Sequence, residues 1–228
     1  MNIRLAISTL VAAGLAAQDP RPAPAPPPTP APAPAPTGEK PAPPAVLELG
    51  DELPADITLH DLDGRLHTFG DLRGKVVVLH IWSSTCPWEI VAEPKINGLA
   101  DSYRDRGVVV LGLAANVNEI GKKPEPAAFE AKAAEDRPYP GLRRKAAESE
   151  VNHPILVDHG ARVARLLDGR TTPQMFVFDS KGRLVYTGAL DNDGRGSKPE
   201  SAANYVRAAL DATLAGEAVG LPRTKPYG

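Results

Sequence analysis

Cys86 is the only cysteine among the 228 residues, and its surroundings favour a reactive thiol. An apolar run, Val76–Trp82, ends in the short polar turn that carries it. Pro87 follows, and proline suits the first position of a helix because its missing N–H would be unpaired there anyway. A sulfur at that point lies among free backbone N–H groups at the positive end of a helix dipole, which favours the reactive thiolate. The alternative is a small apolar cysteine buried in the core.

His80 and Glu89 are titratable residues close to Cys86 in the sequence. His80 is the one strongly polar residue of the apolar run, and an imidazole there could accept a proton near neutral pH. The alternative is a core histidine with a structural role. Glu89 would lie in the first helical turn, where the dipole favours a carboxylate, although its charge opposes thiolate formation at Cys86. Trp82 and Trp88 are expected to wall the site, with core packing as the alternative.

Apolar runs and turn signals predict an α/β domain around these residues. A hairpin is predicted about the turn at 61–64, followed by a strand at 76–82 and a helix at 87–103. The strand is apolar nearly throughout, as expected when both faces of a sheet are covered. The remaining predicted elements are a strand at 108–114, one or two surface helices within 117–152, a strand at 154–158, a helix at 161–167, a hairpin of 171–179 and 184–190, and a helix at 201–214.

The N-terminal residues predict export. Residues 1–17 combine an early positive charge, an apolar run and small closing residues, which is the pattern of a signal peptide. Residues 18–45, rich in proline and alanine, predict a disordered spacer of polyproline II type. The folded domain is then expected over 46–228, in the periplasm or cell envelope. Two alternatives remain: an uncleaved N-terminal anchor that gives association with the envelope, and a tail that binds a proline-recognising partner.

Composition excludes several classes of function. The net charge of −2 and the pI of about 6.2 lack the excess of positive charge that is typical of nucleic-acid-binding domains. One cysteine excludes an intrachain disulfide, a Cys-x-x-Cys pair and a multi-cysteine metal site. Neither a cofactor nor a metal is expected. Asp191–Gly194 hints at calcium, but the remaining ligands of the loop motif are missing, and a hairpin-end loop is the favoured interpretation.

Over about 47–214 the chain resembles the thioredoxin-like redoxins, which include alkyl hydroperoxide reductases and exported thiol-disulfide oxidoreductases. The resemblance rests on L-G-D-E-L-P-A-D-I-T-L-H-D-L-D-G (49–64), G-K-V-V-V-L-H-I-W-S-S-T-C-P-W (74–88), T-T-P-Q-M-F-V-F-D (171–179) and K-G-R-L-V-Y-T-G (181–188). It implies a three-layer α/β fold with a central mixed sheet and an N-terminal β-hairpin extension.

The site motif departs from both branches of that group. Trp82 and Cys86 match the first half of Trp-x-x-x-Cys-x-x-Cys, but Glu89 stands at the second cysteine. Ser83 fits the peroxiredoxin Pro-x-x-x-Thr/Ser-x-x-Cys motif, but Leu79 stands at its proline. The run from Cys86 to Glu89 also resembles the peroxiredoxin Cys-Pro-x-Glu turn. An oxidoreductase-like backbone with a single-cysteine site is the favoured interpretation.

The resemblance also implies roles for three other positions. Thr172-Pro173 resembles the cis-proline loop that faces the reactive cysteine and pairs with substrate backbone, whereas the alternative is a trans proline opening an edge strand. His80 lies where thioredoxins keep a buried proton-relay aspartate. Pro87 would contact substrate beside the sulfur.

Two functions follow as expectations. In the first, the Cys86 thiolate attacks a disulfide or a peroxide, giving a mixed disulfide or a sulfenic acid that an external thiol must resolve. The partner is then a thiol or disulfide protein, a small thiol or a peroxide. In the second, the domain is a non-enzymatic module that binds a partner through the Pro173 edge.

Overall fold

A seven-stranded mixed sheet organises the domain, in the order β2-β1-β5-β4-β3-β6-β7. The computed structural model describes residues 45–131, 133, 136–197 and 202–227, so the predicted signal peptide and nearly all of the predicted spacer lie outside the described residues. The strands are β1 (Thr58–Asp61), β2 (Leu66–Thr68), β3 (Val76–Trp82), β4 (Val108–Ala114), β5 (Ile155–Val157), β6 (Met175–Phe178) and β7 (Leu184–Gly188).

The central strand β3 has the predicted bounds. It pairs parallel with β4, from Val76 opposite Val108 to Trp82 opposite Ala114, and antiparallel with β6. All seven of its residues are buried, which agrees with a strand covered on both faces. β3 therefore lies in the middle of the sheet, and its last residue, Trp82, is four residues before Cys86.

The hairpin of β1 and β2 extends the sheet at one edge, as predicted. Its turn closes with a hydrogen bond from the Gly64 N–H to the Asp61 carbonyl oxygen (3.0 Å). Gly64 has φ +82°, a left-handed conformation that glycine adopts without strain. β1 pairs antiparallel with β5 on its other side, so the hairpin is joined directly to the central sheet.

Helices cover both faces of the sheet. The helices are α1 (Pro87–Tyr103), α2 (Val117–Ile120), α3 (Pro140–Glu148), α4 (Arg162–Leu166) and α5 (Tyr205–Ala215). Among the described residues, no helix is long and apolar enough to cross a membrane. α1 also has the predicted bounds, and it runs through Pro94 to a 3₁₀ turn at Arg104–Arg106.

Alternate residues of β3 face two different layers. Val76 and Val78 pack with α1 and α5, whereas Val77 and Leu79 pack with α4 and the residues that precede β3. A third cluster, at the α3 end of the sheet, includes Trp82. By the same alternation, His80 and Trp82 lie on one face, which is the face that α1 covers.

Several predicted bounds were too long. The strand expected at 171–179 is β6, which begins only at Met175, because the preceding segment carries Pro173 and cannot supply a full ladder of N–H donors. The strand expected at 184–190 ends at Gly188. The closing helix begins at Tyr205 rather than at 201, since Asn204 caps it by accepting the Arg207 N–H.

Candidate active site

Cys86 lies at the N-cap of α1, directly after the loop that leaves β3. The side chain is partly exposed, and its thiol donates a hydrogen bond to the Thr172 carbonyl oxygen (Sγ to O, 3.1 Å). The sulfur is not hydrogen-bonded by the N–H groups of the first helical turn, all of which belong to described residues. A thiolate would be repelled by the Thr172 oxygen, so ionisation of Cys86 requires this contact to open.

Glu119 holds the loop that presents Cys86, and sequence reasoning missed it. Its carboxylate accepts hydrogen bonds from the Ser83 hydroxyl (2.6 Å), the Ser84 N–H (2.6 Å) and the Ser84 hydroxyl (2.5 Å). Asn116 donates a further bond to Oε1 (2.8 Å). Burial raises the pKa of Glu119, but these hydrogen bonds outweigh it and hold the pKa below its usual value. The ionised carboxylate therefore fixes the loop on the sulfur's N-terminal side.

The Thr172-Pro173 loop faces the sulfur, as predicted. Its peptide bond is cis, and Pro173 is buried while Thr172 is partly exposed. The loop is tied at its far end, where the Gln174 side chain accepts the Arg170 N–H (3.0 Å). The structure thus brings Cys86 and the Thr172 backbone together; whether a substrate pairs there stays a prediction.

A buried cluster of titratable side chains lies behind the first turn of α1. His80 is completely buried, Glu89 is 3% exposed, and His80 Nδ1 is 3.2 Å from Glu89 Oε1. The distance fits an ion pair, but the two atoms are not aligned as a hydrogen bond. Neither oxygen of Glu89 has a hydrogen-bond partner among the described residues. Glu89 therefore points into the domain and away from solvent.

Glu93 and His153 complete this cluster, and neither was predicted from the sequence. The Trp82 indole N–H donates to Glu93 Oε2 (3.0 Å), and His153 Nε2 lies 3.0 Å from His80 Nε2 and 3.9 Å from Glu93 Oε1. Glu93 lies four residues after Glu89, so the two carboxylates share one face of α1. We refer to His80, Glu89, Glu93 and His153 as the buried cluster.

Burial and mutual charge shift the pKa values in the buried cluster in different directions. Burial lowers the pKa of His80, but the charges of Glu89 and Glu93 outweigh it and raise the pKa above its usual value. Burial, opposed by the His80 charge and assisted by Glu89, raises the pKa of Glu93 to about 7. Burial and the His80 charge hold the pKa of His153 well below its usual value. At neutral pH the cluster thus holds a cationic His80, a neutral His153 and a Glu93 that is close to half protonated.

Trp82 belongs to the core rather than to the surface of the site. It is 2% exposed and packs with the cluster that includes Ala114 and Ile155. With this burial the indole cannot line an accessible groove, which corrects the expectation that Trp82 walls the site. Its hydrogen bond to Glu93 connects it to the buried cluster instead.

Several apolar side chains near Cys86 are exposed. Pro87 is exposed, Trp88 is partly exposed, and Ile90 and Val117 are 52% and 69% exposed. Trp88 also contacts the C-terminal segment, where its ring lies 6.1 Å from that of Tyr227. The accessible part of the site therefore combines a partly exposed sulfur with apolar side chains.

The acidic residues of 191–194, which were considered as calcium ligands, form hydrogen bonds and ion pairs within the domain. Lys95 of α1 donates to Asp191 Oδ2 (2.7 Å) and to the Asp193 carbonyl oxygen (3.0 Å), and Tyr227 donates to Asp191 Oδ1 (2.9 Å). In the described part of the chain, no group of three or more histidine, cysteine or acidic side chains is arranged to hold a metal ion. The hairpin-end loop is thus anchored to α1.

Comparison with known proteins agrees with this geometry. Residues 48–206 match the family described as Redoxin. The chain belongs to the redoxin family. This redoxin is 24% identical to the thiol-disulfide oxidoreductase ResA of Bacillus cereus over 139 residues, which are 61% of this chain and 68% of that protein.

Solved structures confirm the thioredoxin-like fold of this redoxin. A hypothetical protein of Sinorhizobium meliloti superimposes with a TM-score of 0.62 at 25% identity, over 80% of this chain and 92% of that one. A putative thiol:disulfide interchange protein DsbE of Chlorobium tepidum gives a TM-score of 0.54 at 19% identity, over 74% and 99% of the two chains. The predicted α/β architecture with a central mixed sheet is confirmed.

Proposed function

We propose that this redoxin is an exported thiol oxidoreductase that uses Cys86 as its single nucleophile on protein disulfides. The carrying observation is the position of the sulfur, which is partly exposed at the N-cap of a 17-residue helix and in contact with the Thr172 backbone. Similarity to thiol-disulfide oxidoreductase ResA supports this choice of chemistry. The exposed Ile90 and Val117 support a protein partner, because apolar surface is what such a partner buries.

The reaction takes place in two exchanges. The Cys86 thiolate attacks one sulfur of the substrate disulfide, forming a new Cys86–sulfur bond while the other substrate sulfur leaves as a thiolate. A thiolate from a second, external molecule then attacks the mixed disulfide and releases Cys86 as a thiolate again. Electrons balance because one disulfide is consumed and one is formed. An external thiol is required because Glu89 occupies the position from which a second cysteine would act.

Glu89 and His80 are proposed to act from behind the sulfur. Glu89 follows Cys86 by one helical turn, and its charge is balanced by His80 at 3.2 Å. The pair thus lets a carboxylate occupy the first turn of α1 without presenting an uncompensated negative charge to the thiolate. Thr172, Pro173, Pro87 and Trp88 are proposed to contact the substrate around the sulfur.

Mass spectrometry of Cys86 tests this proposal. We expect a mixed disulfide after incubation with oxidised glutathione, and we expect Cys86→Ser to abolish turnover of a protein disulfide. Ser102→Ala, an exposed change near the far end of α1, is the matched control and keeps full turnover. Turnover that persists in Cys86→Ser contradicts the proposal. A sulfenic acid after peroxide, with no mixed disulfide after glutathione, replaces it with a thiol peroxidase.

Export is proposed from residues 1–17, with residues 18–45 as the spacer to the domain. Cell fractionation of the full chain and of a chain lacking residues 1–17 tests this. We expect the full chain in the periplasmic or envelope fraction and the shortened chain in the cytoplasm. Equal distribution of the two chains would contradict it.

A further inference from the structure

The contact between His80 and His153 joins the buried cluster to a second side of the domain. The two Nε2 atoms are 3.0 Å apart, and neither imidazole is exposed. A hydrogen bond between two ring nitrogens requires one of them to donate and the other to accept, so one proton lies between the rings. Such a pair can pass a proton by exchanging donor and acceptor.

The loop before β5 is fastened so that it delivers His153 to this contact. The Asn97 side chain of α1 accepts the Asn152 N–H (3.1 Å) and donates to the Glu150 carbonyl oxygen (3.1 Å). Asn152 in turn donates from its side chain to the Asn97 carbonyl oxygen (3.2 Å). These hydrogen bonds, with a further one from the Asn97 side chain to the Ser149 carbonyl oxygen (3.4 Å), hold the imidazole in place beneath α1.

His153 also borders open space. It lines a cleft of about 200 Å³, together with Asp61, Asp63 and Arg143. The cleft has charged walls, since Arg143 pairs with Asp63 at 2.7 Å. Because water occupies roomy polar clefts, His153 is the member of the buried cluster that stands between His80 and solvent.

We propose that His153 is a proton-transfer residue that carries protons between the Glu89–His80 pair and this cleft during turnover at Cys86. The proposal rests on the proposed function of Cys86. The resting Cys86 thiol, which donates to the Thr172 oxygen, loses its proton before it attacks, and the thiolate released by the second exchange takes one up again. A docked protein covers the exposed apolar side chains near the sulfur while this happens. A path through His153 leaves the proton a separate route to water. His153 touches neither sulfur nor substrate, so it acts through His80.

The charges around His153 suit this role. Glu89 and Glu93 face it from α1 and His80 from β3, while Asp61, Asp63 and Arg143 line the cleft. The low pKa of His153 keeps its ring neutral, so Nε2 can accept from the cationic His80 while Nδ1, 3.4 Å from Asn152 Oδ1, carries the ring proton. Glu93 Oε1 lies 3.9 Å away, so an ionised Glu93 provides a counter-charge for a transient positive charge on His153.

Chemical rescue tests the proposal. In His153→Ala, the cleft extends into the space of the lost ring, where free imidazole can bind. We expect the rate of disulfide turnover to fall about 100-fold, the lower end of what positioned proton transfer contributes. We expect added imidazole to restore most of it, with a pH dependence that follows the imidazole. His60→Ala is the matched control, at an exposed histidine on β1 that stacks on Phe129. We expect it to keep the rate of the parent and to be unaffected by added imidazole.

Other outcomes separate this proposal from the function of Cys86. If Cys86→Ser is inactive while His153→Ala keeps the rate and pH profile of the parent, the proton route is wrong and the thiol chemistry stands. A fall in rate without imidazole rescue assigns His153 a structural role. If His153→Ala does not fold, two other measurements test the proton route. They are the turnover rate of His153→Gln and the solvent deuterium isotope effect on turnover by the unmodified chain. A proton route predicts a slow His153→Gln and an isotope effect on the parent's turnover, and their absence overturns it.

Discussion

Replacing Glu93 by glutamine should stabilise this redoxin at alkaline pH. Glu93 is 2% exposed and shares its helix face with Glu89, and its Oε1 has no hydrogen-bond partner among the described residues. Glutamine has nearly the same shape, and its amide oxygen can still accept the Trp82 N–H. Glu93→Gln therefore removes a buried charge while it keeps the hydrogen bond from the Trp82 N–H.

The size and sign of the effect follow from the pKa. Burial raises the pKa of Glu93 from 4.5 to about 7, so ionising it costs about 3 kcal/mol more in the folded protein than in the unfolded chain. The pKa of Glu93 is higher in the folded protein than in the unfolded chain. The stability that the protonated Glu93 provides is therefore fully present below pH 4.5 and is lost as the pH rises through about 7. Glu93→Gln has no proton to lose. The two proteins should match near pH 4.5 and differ by about 3 kcal/mol at about pH 8, with the variant more stable.

Urea unfolding from about pH 4.5 to about pH 8, at fixed ionic strength, measures this difference. Glu217→Gln removes the same charge from an exposed position after α5 and should shift the free energy of unfolding by less than about 0.5 kcal/mol at every pH. A Glu93→Gln variant that is less stable at about pH 8, or equally displaced at all pH values, would refute the reasoning. The first result would mean that the ionised carboxylate stabilises the fold, through His80.

Two further predictions concern the surface and loop of the site. Glu119→Gln removes the charge that accepts hydrogen bonds from Ser83 and Ser84. The free energy of unfolding at neutral pH, measured with urea, should therefore fall by about 2 kcal/mol. Alkylation of Cys86 by iodoacetamide, measured by mass spectrometry, should change severalfold. Ile90→Ser should slow exchange with a protein disulfide severalfold but leave exchange with oxidised glutathione unchanged; an equal effect on both substrates would contradict a protein-binding role for this exposed side chain.

The sequence allowed the elements next to Cys86 to be predicted to the residue. β3, α1 and β4 have the predicted bounds, because a continuous apolar run, a proline at the first helical position and a left-handed Gly107 mark each boundary locally. The cis peptide bond at Thr172-Pro173 was also predicted, from the family resemblance. Where local signals were weaker, as at β6 and α5, the bounds moved by several residues.

The buried cluster could be found only in part. His80 and Trp82 stand two residues apart on β3, so strand alternation places them on one face. Glu89 and Glu93 are four apart on a helix whose neighbouring inward positions are apolar, which is a signal for a buried acidic pair that sequence reasoning passed over. His153 is different: it reaches His80 across 73 positions, through a loop fixed by Asn97, and no local pattern reports that contact.

The buried cluster explains how a carboxylate can stand where the family's second cysteine would be. A lone ionised Glu89 in the first turn would oppose the Cys86 thiolate, but His80 at 3.2 Å carries the compensating charge. Glu93 makes this compensation depend on pH. Below about 7 it holds a proton and the cluster is close to neutral, whereas above that pH a second negative charge appears behind the sulfur.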